Sequence, residues 1–267
     1  MLDSLFQRFG EEGGAGAMLR RAAAHARHAG RAALDLIYPP SCIACRRATA
    51  ESGVLCAACW ASIRFIERPY CERLGTPFAQ DFGQALISPQ AMADPPAFNR
   101  ARAVARFEDG PARDLVHRLK YGDRIELAKP MGRWMARAGA EVLKEADVLV
   151  PVPLHKSKLA ARRFNQAMVL AQEIGREAKL PVEACALERV KATRPQVGLT
   201  KVQRAENVQG AFKVGEAGKL LLHNRRVVLI DDVLTSGSTL NAATRALLRG
   251  GAASVDVLVF ARVVTGA

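Results

Sequence analysis

Apolar and polar positions change period repeatedly between residues 101 and 264. ARAVARFE alternates apolar and polar residues as a strand does, and PARDLVHRLKYG opens with proline and closes with glycine as helices often do. The same patterns predict a helix over about 126–144, a strand in ADVLVPVPL, a helix in QAMVLAQEIGREA, a strand in VVLID, a helix over about 238–249 and a strand in ASVDVLVFA. Strands separated by helices predict an α/β fold with a mostly parallel sheet covered on both faces.

The segment VVLIDDVLTSGSTL is the strongest candidate for chemistry, because a buried strand runs directly into two carboxylates and a polar loop. Ligands of parallel sheets collect at the carboxyl ends of the strands, where Asp231 and Asp232 are expected. The loop before the next helix offers backbone N–H groups, hydroxyls and a glycine to one phosphate, from Thr235, Ser236, Gly237, Ser238 and Thr239. The carboxylates would repel a phosphate, so we expect them to face sugar hydroxyls or Mg²⁺. A sugar phosphate meets both demands.

The segment has two alternative interpretations. A nucleoside triphosphatase would need a GxxxxGK[ST] loop, which the chain lacks, since GEAGKLL has the wrong spacing and no hydroxyl after its lysine. A strand end capped by aspartate without any ligand is the remaining alternative.

Cysteines form the second candidate site. SCIACRRATAESGVLCAACW contains two CxxC pairs ten residues apart, which predicts tetrahedral Zn²⁺ ligation in a zinc ribbon by Cys42, Cys45, Cys56 and Cys59. A disulfide pair is the alternative, and a reducing cytosol disfavours it. Cys71 is either a fifth candidate ligand or the remnant of a third pair, because Leu74 stands where its partner would be. Cys185 is interpreted as a small apolar residue.

Composition bounds the class of protein and its surroundings. The 267 residues are 49% hydrophobic and carry a formal charge of +13, which favours anionic partners or simply reflects a basic surface. No apolar run reaches the roughly 18 residues of a membrane span, and no secretory signal is evident, so we expect a cytoplasmic protein. We divide the chain into a basic N-terminal extension (1–32), a zinc ribbon (33–75), a linker or hood segment (76–100) and an α/β domain (101–267).

With these residues in place, the chain resembles a known family. VVLIDDVLTSGSTL resembles the phosphoribosyl pyrophosphate (PRPP) motif of type I phosphoribosyltransferases. The segments DLIYPPSCIAC, LKYGDRIELAKPMG, VPVPLHKSKLAARRFNQA and TRPQVGLTKVQRAENVQGAF narrow the resemblance to the competence-associated ComF family, over about residues 33–264. The resemblance implies a type I phosphoribosyltransferase fold behind a zinc ribbon. It also implies that Asp231 and Asp232 bind the ribose hydroxyls and that the loop holds the 5-phosphate.

The basic loop after ADVLVPVPL supplies candidates for binding the pyrophosphate of PRPP, namely Lys156, Lys158, Arg162 and Arg163. Any one lysine or arginine of this kind is more often a solvated surface residue than a ligand contact. Arg163 stands where the family usually has glycine, and Lys158 where it usually has arginine. A left-handed backbone at Arg163 would be costly. The residue at Leu74 implies a single metal site or a degenerate second one.

Three functions remain open at this point. The first is Mg²⁺-dependent transfer of phosphoribosyl from PRPP to an acceptor that the sequence does not indicate. The second is single-stranded DNA binding during DNA uptake, with a helicase as an expected partner. The third is PRPP-responsive regulation without turnover. Asn165 and Gln166 are further candidate contacts for which helix capping or loop hydrogen bonding is at least as plausible. Lys120 and Tyr121 end a helix, where a cation either complements the helix dipole or binds phosphate. Arg204 and Asn207 are implied by the resemblance alone.

Overall fold

The computed structural model describes residues 18, 39–81, 83, 86–193 and 200–264 of the chain. The predicted basic extension over residues 1–32 lies outside the described residues, apart from Met18. No helix among the described residues is long and apolar enough to cross a membrane.

The described elements alternate between strands and helices after a short N-terminal part. The helices are α1 (Ala57–Ala61), α2 (Pro89–Ala93), α3 (Pro111–Tyr121), α4 (Ala128–Ala138), α5 (Ala140–Glu145), α6 (Lys156–Arg162), α7 (Gln166–Ala178), α8 (Lys201–Val208), α9 (Glu216–Leu222) and α10 (Ser238–Arg249). A 3-10 turn spans Ile125–Leu127. The strands are β1 (Ala101–Arg106), β2 (Val148–Pro151), β3 (Glu188–Arg189), β4 (Phe212–Lys213), β5 (Arg226–Leu234) and β6 (Ser254–Arg262).

The central sheet has four parallel strands in the order β1-β6-β5-β2, and β3 and β4 form a separate antiparallel pair. Strand residues alternate between two buried faces. Val227 and Leu229 of β5 pack on the face covered by α9 and α10, whereas Val228 and Ile230 pack on the face covered by α3, α4 and α7. Because both faces are covered, the strands are almost continuously apolar, which confirms the predicted α/β architecture.

The structure differs from the sequence interpretation at three places. Strand β5 continues through Asp231 and Asp232 to Leu234, so the acidic pair lies within the strand and not beyond its end. The helix predicted over 126–144 is broken at Gly139, where a Cβ atom would lie 2.7 Å from the Leu258 side chain. The short elements β3, β4, α8 and α9 carried no clear periodic pattern and were not predicted.

The N-terminal part is attached to the sheet through its edge strand. The backbone N–H of Ile66 donates to the Val104 carbonyl at 2.9 Å, so the chain covers the outer edge of β1. Arg102 of β1 is buried and pairs with Glu72 at 2.6 Å and with Glu141, while its guanidinium lies 4.6 Å from the centre of the Tyr70 ring. These contacts tie the cysteine-rich part to the α/β domain.

The cysteine-rich part consists of two halves, of which the first contains four cysteines. The backbone N–H of Cys42 donates to Arg47 O at 2.7 Å. The Cys42 sulfur accepts the N–H groups of Cys45 at 3.5 Å and Cys56 at 3.3 Å. Helix α1 begins directly after Cys56.

The second half repeats these bonds between residues 70 and 93. The N–H of Cys71 donates to Thr76 O at 2.8 Å, and the Cys71 sulfur accepts the N–H groups of Leu74 at 3.4 Å and Ser88 at 3.2 Å. Helix α2 begins directly after Ser88, as α1 does after Cys56. Part of this half falls in the segment 76–100 that the sequence suggested as a linker or hood.

The correspondence between the halves identifies the residues that occupy the second set of ligand positions. Cys71 matches Cys42, but Leu74, Ser88 and Ala91 stand where the first half has Cys45, Cys56 and Cys59. Leu74 packs against the apolar core instead. Arg262 of β6, itself buried, donates to the Leu74 carbonyl. The second half therefore keeps the backbone of the first and replaces metal ligation by packing and hydrogen bonds.

Candidate functional site

A cavity of about 440 Å³ opens at the carboxyl ends of β2 and β5. Its described lining residues all lie from Phe107 onward, so none comes from the cysteine-rich part or from the segment suggested as a hood. The polar residues around it are Lys120, Tyr121, Lys158, Arg162, Asn165, Gln166, Arg189, Thr193, Arg204, Asp231, Asp232, Thr235 and Thr239.

The acidic pair forms one wall of this cavity. Asp231 is partly buried and Asp232 is 7% exposed, and the Asp232 N–H donates to Asp231 Oδ1 at 2.9 Å. Lys120, at the end of α3, places Nζ 2.9 Å from Asp232 Oδ1. Burial, together with the negative charge of Asp232, raises the pKa of Asp231 to about 7, although the charges of Lys120 and Arg189 act in the opposite direction. The pair therefore carries less than two full negative charges near neutral pH.

The loop after β5 has the geometry of a phosphate cradle. Gly237 has φ +79°, a left-handed backbone conformation that favours glycine, and α10 begins directly after it. Thr235, Gly237 and Thr239 line the cavity, and the hydroxyls of Ser236 and Ser238 lie 3.0 Å apart. A helix start, several N–H groups and hydroxyls at one point suit a phosphate monoester.

The basic segment after β2 was predicted as a loop but forms helix α6 over Lys156–Arg162, and its cations divide into those inside and those outside the cavity. Lys158 and Arg162 line the cavity, whereas Lys156 and Arg163 are exposed and do not. Burial, followed by the nearby charges of Arg189 and Arg162, lowers the pKa of Lys158. Arg163 has a left-handed backbone with φ +64° and pairs with Asp123 at 3.3 Å. An arginine here therefore adopts a backbone conformation that favours glycine.

Arg162 is held across the mouth of the cavity. Its guanidinium lies 5.0 Å from the centre of the Tyr121 ring and donates to Tyr121 Oη at 3.1 Å and to Gln166 Oε1 at 3.1 Å. Asn165 caps α7 by accepting the Ala167 N–H at 3.1 Å and donates to the Val152 carbonyl at 3.0 Å. Asn165 thus has the structural role that its sequence position suggested as one alternative.

Sequence reasoning missed Arg189 altogether. This residue lies in the two-residue strand β3, donates to Thr193 Oγ1 at 2.5 Å and stacks 5.2 Å from the centre of the Phe212 ring. Burial lowers its pKa, while Asp231 acts to raise it. The buried Nε atoms of Arg189 and Arg204 have no hydrogen-bond partner in the part of the chain that the structure describes. A single arginine in an irregular segment gave no signal that could have identified it.

The four cysteines of the first ribbon half lie close enough to share a metal ion. Their Sγ atoms are all within 4.8 Å of one another, and Cys45 Sγ and Cys56 Sγ are 3.6 Å apart. Zinc–sulfur bonds of about 2.3 Å in a tetrahedron place sulfurs roughly 3.8 Å apart, so the arrangement fits Zn²⁺. They form the one such group of histidine, cysteine or acidic residues within the described ranges.

The pKa shifts of Cys42 and Cys59 also favour a bound cation at this site. Burial acts to raise the pKa of Cys42, but N–H groups of Cys45, Cys56 and Ala44 outweigh it and lower that pKa to about 6. Burial, together with the neighbouring sulfurs, raises the pKa of Cys59 instead. Without a cation the sulfurs cannot all be thiolates, and Zn²⁺ supplies the charge that removes this conflict.

Comparison with known proteins matches both parts of the chain to family models. The family described as "Double zinc ribbon domain" matches residues 33–91, and "Phosphoribosyl transferase domain" matches residues 165–266. "Competence protein F" of Haemophilus influenzae is 30% identical over 231 residues, covering 83% of this chain and 96% of that protein. The chain belongs to the ComF family. Another ComF relative, "DNA utilization protein YhgH" of Escherichia coli, is 30% identical over 229 residues and is covered to the same extents.

The ComF assignment accounts for the architecture as a whole. The chain combines a type I phosphoribosyltransferase-like domain with an N-terminal zinc ribbon, as the resemblance implied. Among solved structures, a glutamine PRPP amidotransferase from Bacillus subtilis is 20% identical, with a TM-score of 0.37 and coverage of 53% of this chain and 30% of that chain. The second half of the ribbon lacks three of the four cysteines that a second zinc ion would need.

Proposed function

We propose that this ComF protein binds PRPP with Mg²⁺ and transfers its phosphoribosyl group to an acceptor, in the handling of DNA taken up by the cell. One observation supports the binding of PRPP. A single cavity brings together an acidic pair, a helix-initiating hydroxyl loop and a group of partly buried cations. A molecule with a sugar diol, a phosphate and a diphosphate uses all three.

The cradle and the acidic pair orient the sugar. We assign the 5-phosphate to the loop Thr235, Ser236, Gly237, Ser238 and Thr239, where the N-terminus of α10 favours negative charge. Ribose hydroxyls are donors, so they would donate to the carboxylates of Asp231 and Asp232. Fixing the sugar at both ends holds C1 at one position in the cavity.

The cations act on the leaving group. As the bond between C1 and the diphosphate oxygen breaks and the acceptor bonds to C1, negative charge collects on the diphosphate. Lys158, Arg162 and Arg189 line the same cavity and would stabilise this charge. Mg²⁺ bound to the diphosphate would supply further positive charge, and Asp231 and Asp232 are the carboxylates that would face it.

Titration of PRPP tests this assignment directly. We expect isothermal titration calorimetry with Mg²⁺ to detect PRPP binding, and Asp232→Asn to weaken it by about 1 to 3 kcal/mol because an ionised acceptor is lost. Asp109→Asn is the matched control, since this surface aspartate has a side chain that is 88% exposed. A thermal melt of each variant shows whether it is folded. Equal affinity of the native protein and Asp232→Asn would refute the assignment.

Binding of single-stranded DNA is a second candidate function, favoured by a specific surface. Trp60 of α1 is 47% exposed, and Arg46 and Arg47 on the same ribbon half are exposed. An exposed aromatic side chain and cations on one ribbon half suit stacked bases and a phosphate backbone. The names of the relatives refer to competence and DNA utilization. We propose on this basis a cytoplasmic role beside a DNA-uptake helicase.

Salt dependence distinguishes DNA binding from the transferase function. We expect the affinity for a fluorescent oligonucleotide to fall steeply with salt, and Trp60→Ala to weaken it by about 1 to 3 kcal/mol. An affinity unchanged by both salt and Trp60→Ala would refute the DNA interface. If PRPP alters DNA affinity but no product forms from PRPP, the regulatory alternative replaces turnover.

A further inference from the structure

Lys120 occupies a position at the acidic pair that the transferase assignment does not use. Its Nζ lies 2.9 Å from Asp232 Oδ1, and the two side chains are only 20% and 9% exposed. It lies in the last turn of α3 and points into the same cavity as the phosphate cradle. The ion pair is therefore a largely buried part of the site and not a surface contact.

The helix that carries Lys120 is packed against the core. Val116 and Leu119 of α3 are fully buried, and the Gly122 N–H closes the helix on Arg118 O at 2.8 Å. The side chain of Lys120 therefore starts from a fixed point beside Asp232.

A divalent ion and this ammonium would compete for the same carboxylate. A Mg²⁺ ion on Asp232 Oδ1 would sit about 2.0 to 2.1 Å from that oxygen, next to a positive charge that already contacts it. The two cations repel each other strongly in a largely buried site. A free metal ion at this oxygen therefore requires Lys120 to move away.

A sugar diol does not face this conflict. A hydroxyl group donates one hydrogen bond and accepts others, so it can donate to Asp232 and accept from Lys120 at the same time. The lysine has three N–H donors, of which the contact with Asp232 uses one. A carboxylate and an ammonium side by side are thus complementary to vicinal hydroxyls.

We propose that Lys120 is the resident cation of the acidic pair. It positions Asp232, keeps free divalent ions off the two carboxylates, and leaves them for the ribose hydroxyls, so that metal enters the site only on the diphosphate of PRPP. The claim that metal enters only with PRPP rests on the proposed PRPP site, whereas the exclusion of free metal does not.

Binding of Mn²⁺ without PRPP tests the proposal on the zinc-loaded, full-length protein. Electron paramagnetic resonance measures the free Mn²⁺ that remains during a titration. We expect the native protein to show no Mn²⁺ site tighter than about 1 mM, and Lys120→Met to create one at least tenfold tighter. The double variant Lys120→Met with Asp232→Asn should lose that site, and Lys120→Arg should never gain it.

The controls separate the possible outcomes. Lys129→Met removes an exposed lysine of α4 and should leave Mn²⁺ binding unchanged. A native Mn²⁺ site that Asp232→Asn abolishes would overturn the proposal, as would equal Mn²⁺ binding by folded Lys120→Met and native protein. If Lys120→Met does not fold, Lys120→Gln replaces it, and the native titration still decides whether free metal is excluded.

PRPP titration of the same samples distinguishes this inference from the proposed function. If Lys120→Met gains a Mn²⁺ site but the native protein does not bind PRPP, the resident cation is supported and the PRPP site is refuted. PRPP binding to native protein without metal gain in the variant supports the PRPP site and refutes the resident cation.

Discussion

Asp231 is expected to destabilise the folded protein, and replacing it should reveal by how much. Its pKa rises from 3.8 to about 7 because the carboxylate is buried beside a second negative charge. A folded-state pKa above the unfolded value means that the fold binds this proton more tightly than the unfolded chain does. Stability must then fall as pH rises from about 4 to about 7, and stay level above that. Asp231→Asn removes this loss and keeps an oxygen that can accept the Asp232 N–H.

The size of the effect follows from the same pKa. At about 1.4 kcal/mol per pH unit, a rise from 3.8 to about 7 corresponds to an upper limit of about 4 kcal/mol at pH 8. Water in the open cavity screens the repulsion, and the variant also loses the attraction of Lys120 and Arg189. We therefore expect Asp231→Asn to raise the free energy of unfolding by about 1 to 3 kcal/mol at pH 8.

Thermal melts of native protein and Asp231→Asn between pH 5 and pH 8 measure this effect. In a protein of this size 1 kcal/mol corresponds to roughly 2 to 4 °C in Tm. The advantage of the variant should grow with pH and level off above about pH 7, while its affinity for PRPP falls. A Tm difference that is independent of pH, or an unstable variant at pH 8, would refute the reasoning.

Three further predictions concern the loop, the ribbon and the anion side of the cavity. Arg163→Gly should stabilise the fold by about 0.5 to 1 kcal/mol in urea unfolding, because φ is +64° there, and Arg163→Ala should not. Metal analysis should find one Zn²⁺ per native chain, and the combined changes Leu74→Cys, Ser88→Cys and Ala91→Cys should raise this to two, because the backbone of the second half already matches the first. A value of one in the combined variant contradicts the repeat. Arg189→Met should weaken PRPP binding about tenfold in calorimetry without lowering Tm, because it removes a partly buried cation whose Nε has no hydrogen-bond partner among the described residues; a large loss of Tm would point to a structural role.

Much of the architecture was predictable because it depends on short-range patterns. The helix Gln166–Ala178 and the strands β5 and β6 follow from apolar periodicity, and α10 follows from the glycine loop before it. The first zinc ribbon half follows from cysteine spacing alone. Elements of two residues such as β3 have no period to detect, which is why Arg189 was missed.

The site was predictable in kind but not in detail. The positions of Asp231 and Asp232 at one sheet edge follow from parallel strands meeting a ligand at their carboxyl ends. Which basic residues enter the cavity does not follow, because one turn of α6 turns Lys158 and Arg162 inward and leaves Lys156 outside. The Lys120–Asp232 pair joins residues more than one hundred positions apart, so only the folded chain shows it.

The duplicated ribbon makes the two ends of the N-terminal part respond differently to chelation. Removing zinc takes away the ion that joins the four cysteines of the first half, so amide hydrogen exchange should accelerate between Cys42 and Cys59. Around Cys71 the hydrogen bonds of Leu74 and Ser88 and the contact with Arg262 do not depend on metal, and exchange should stay slow. The second half therefore stays folded without metal. It keeps the zinc-bearing half attached to the sheet even while that half is unfolded.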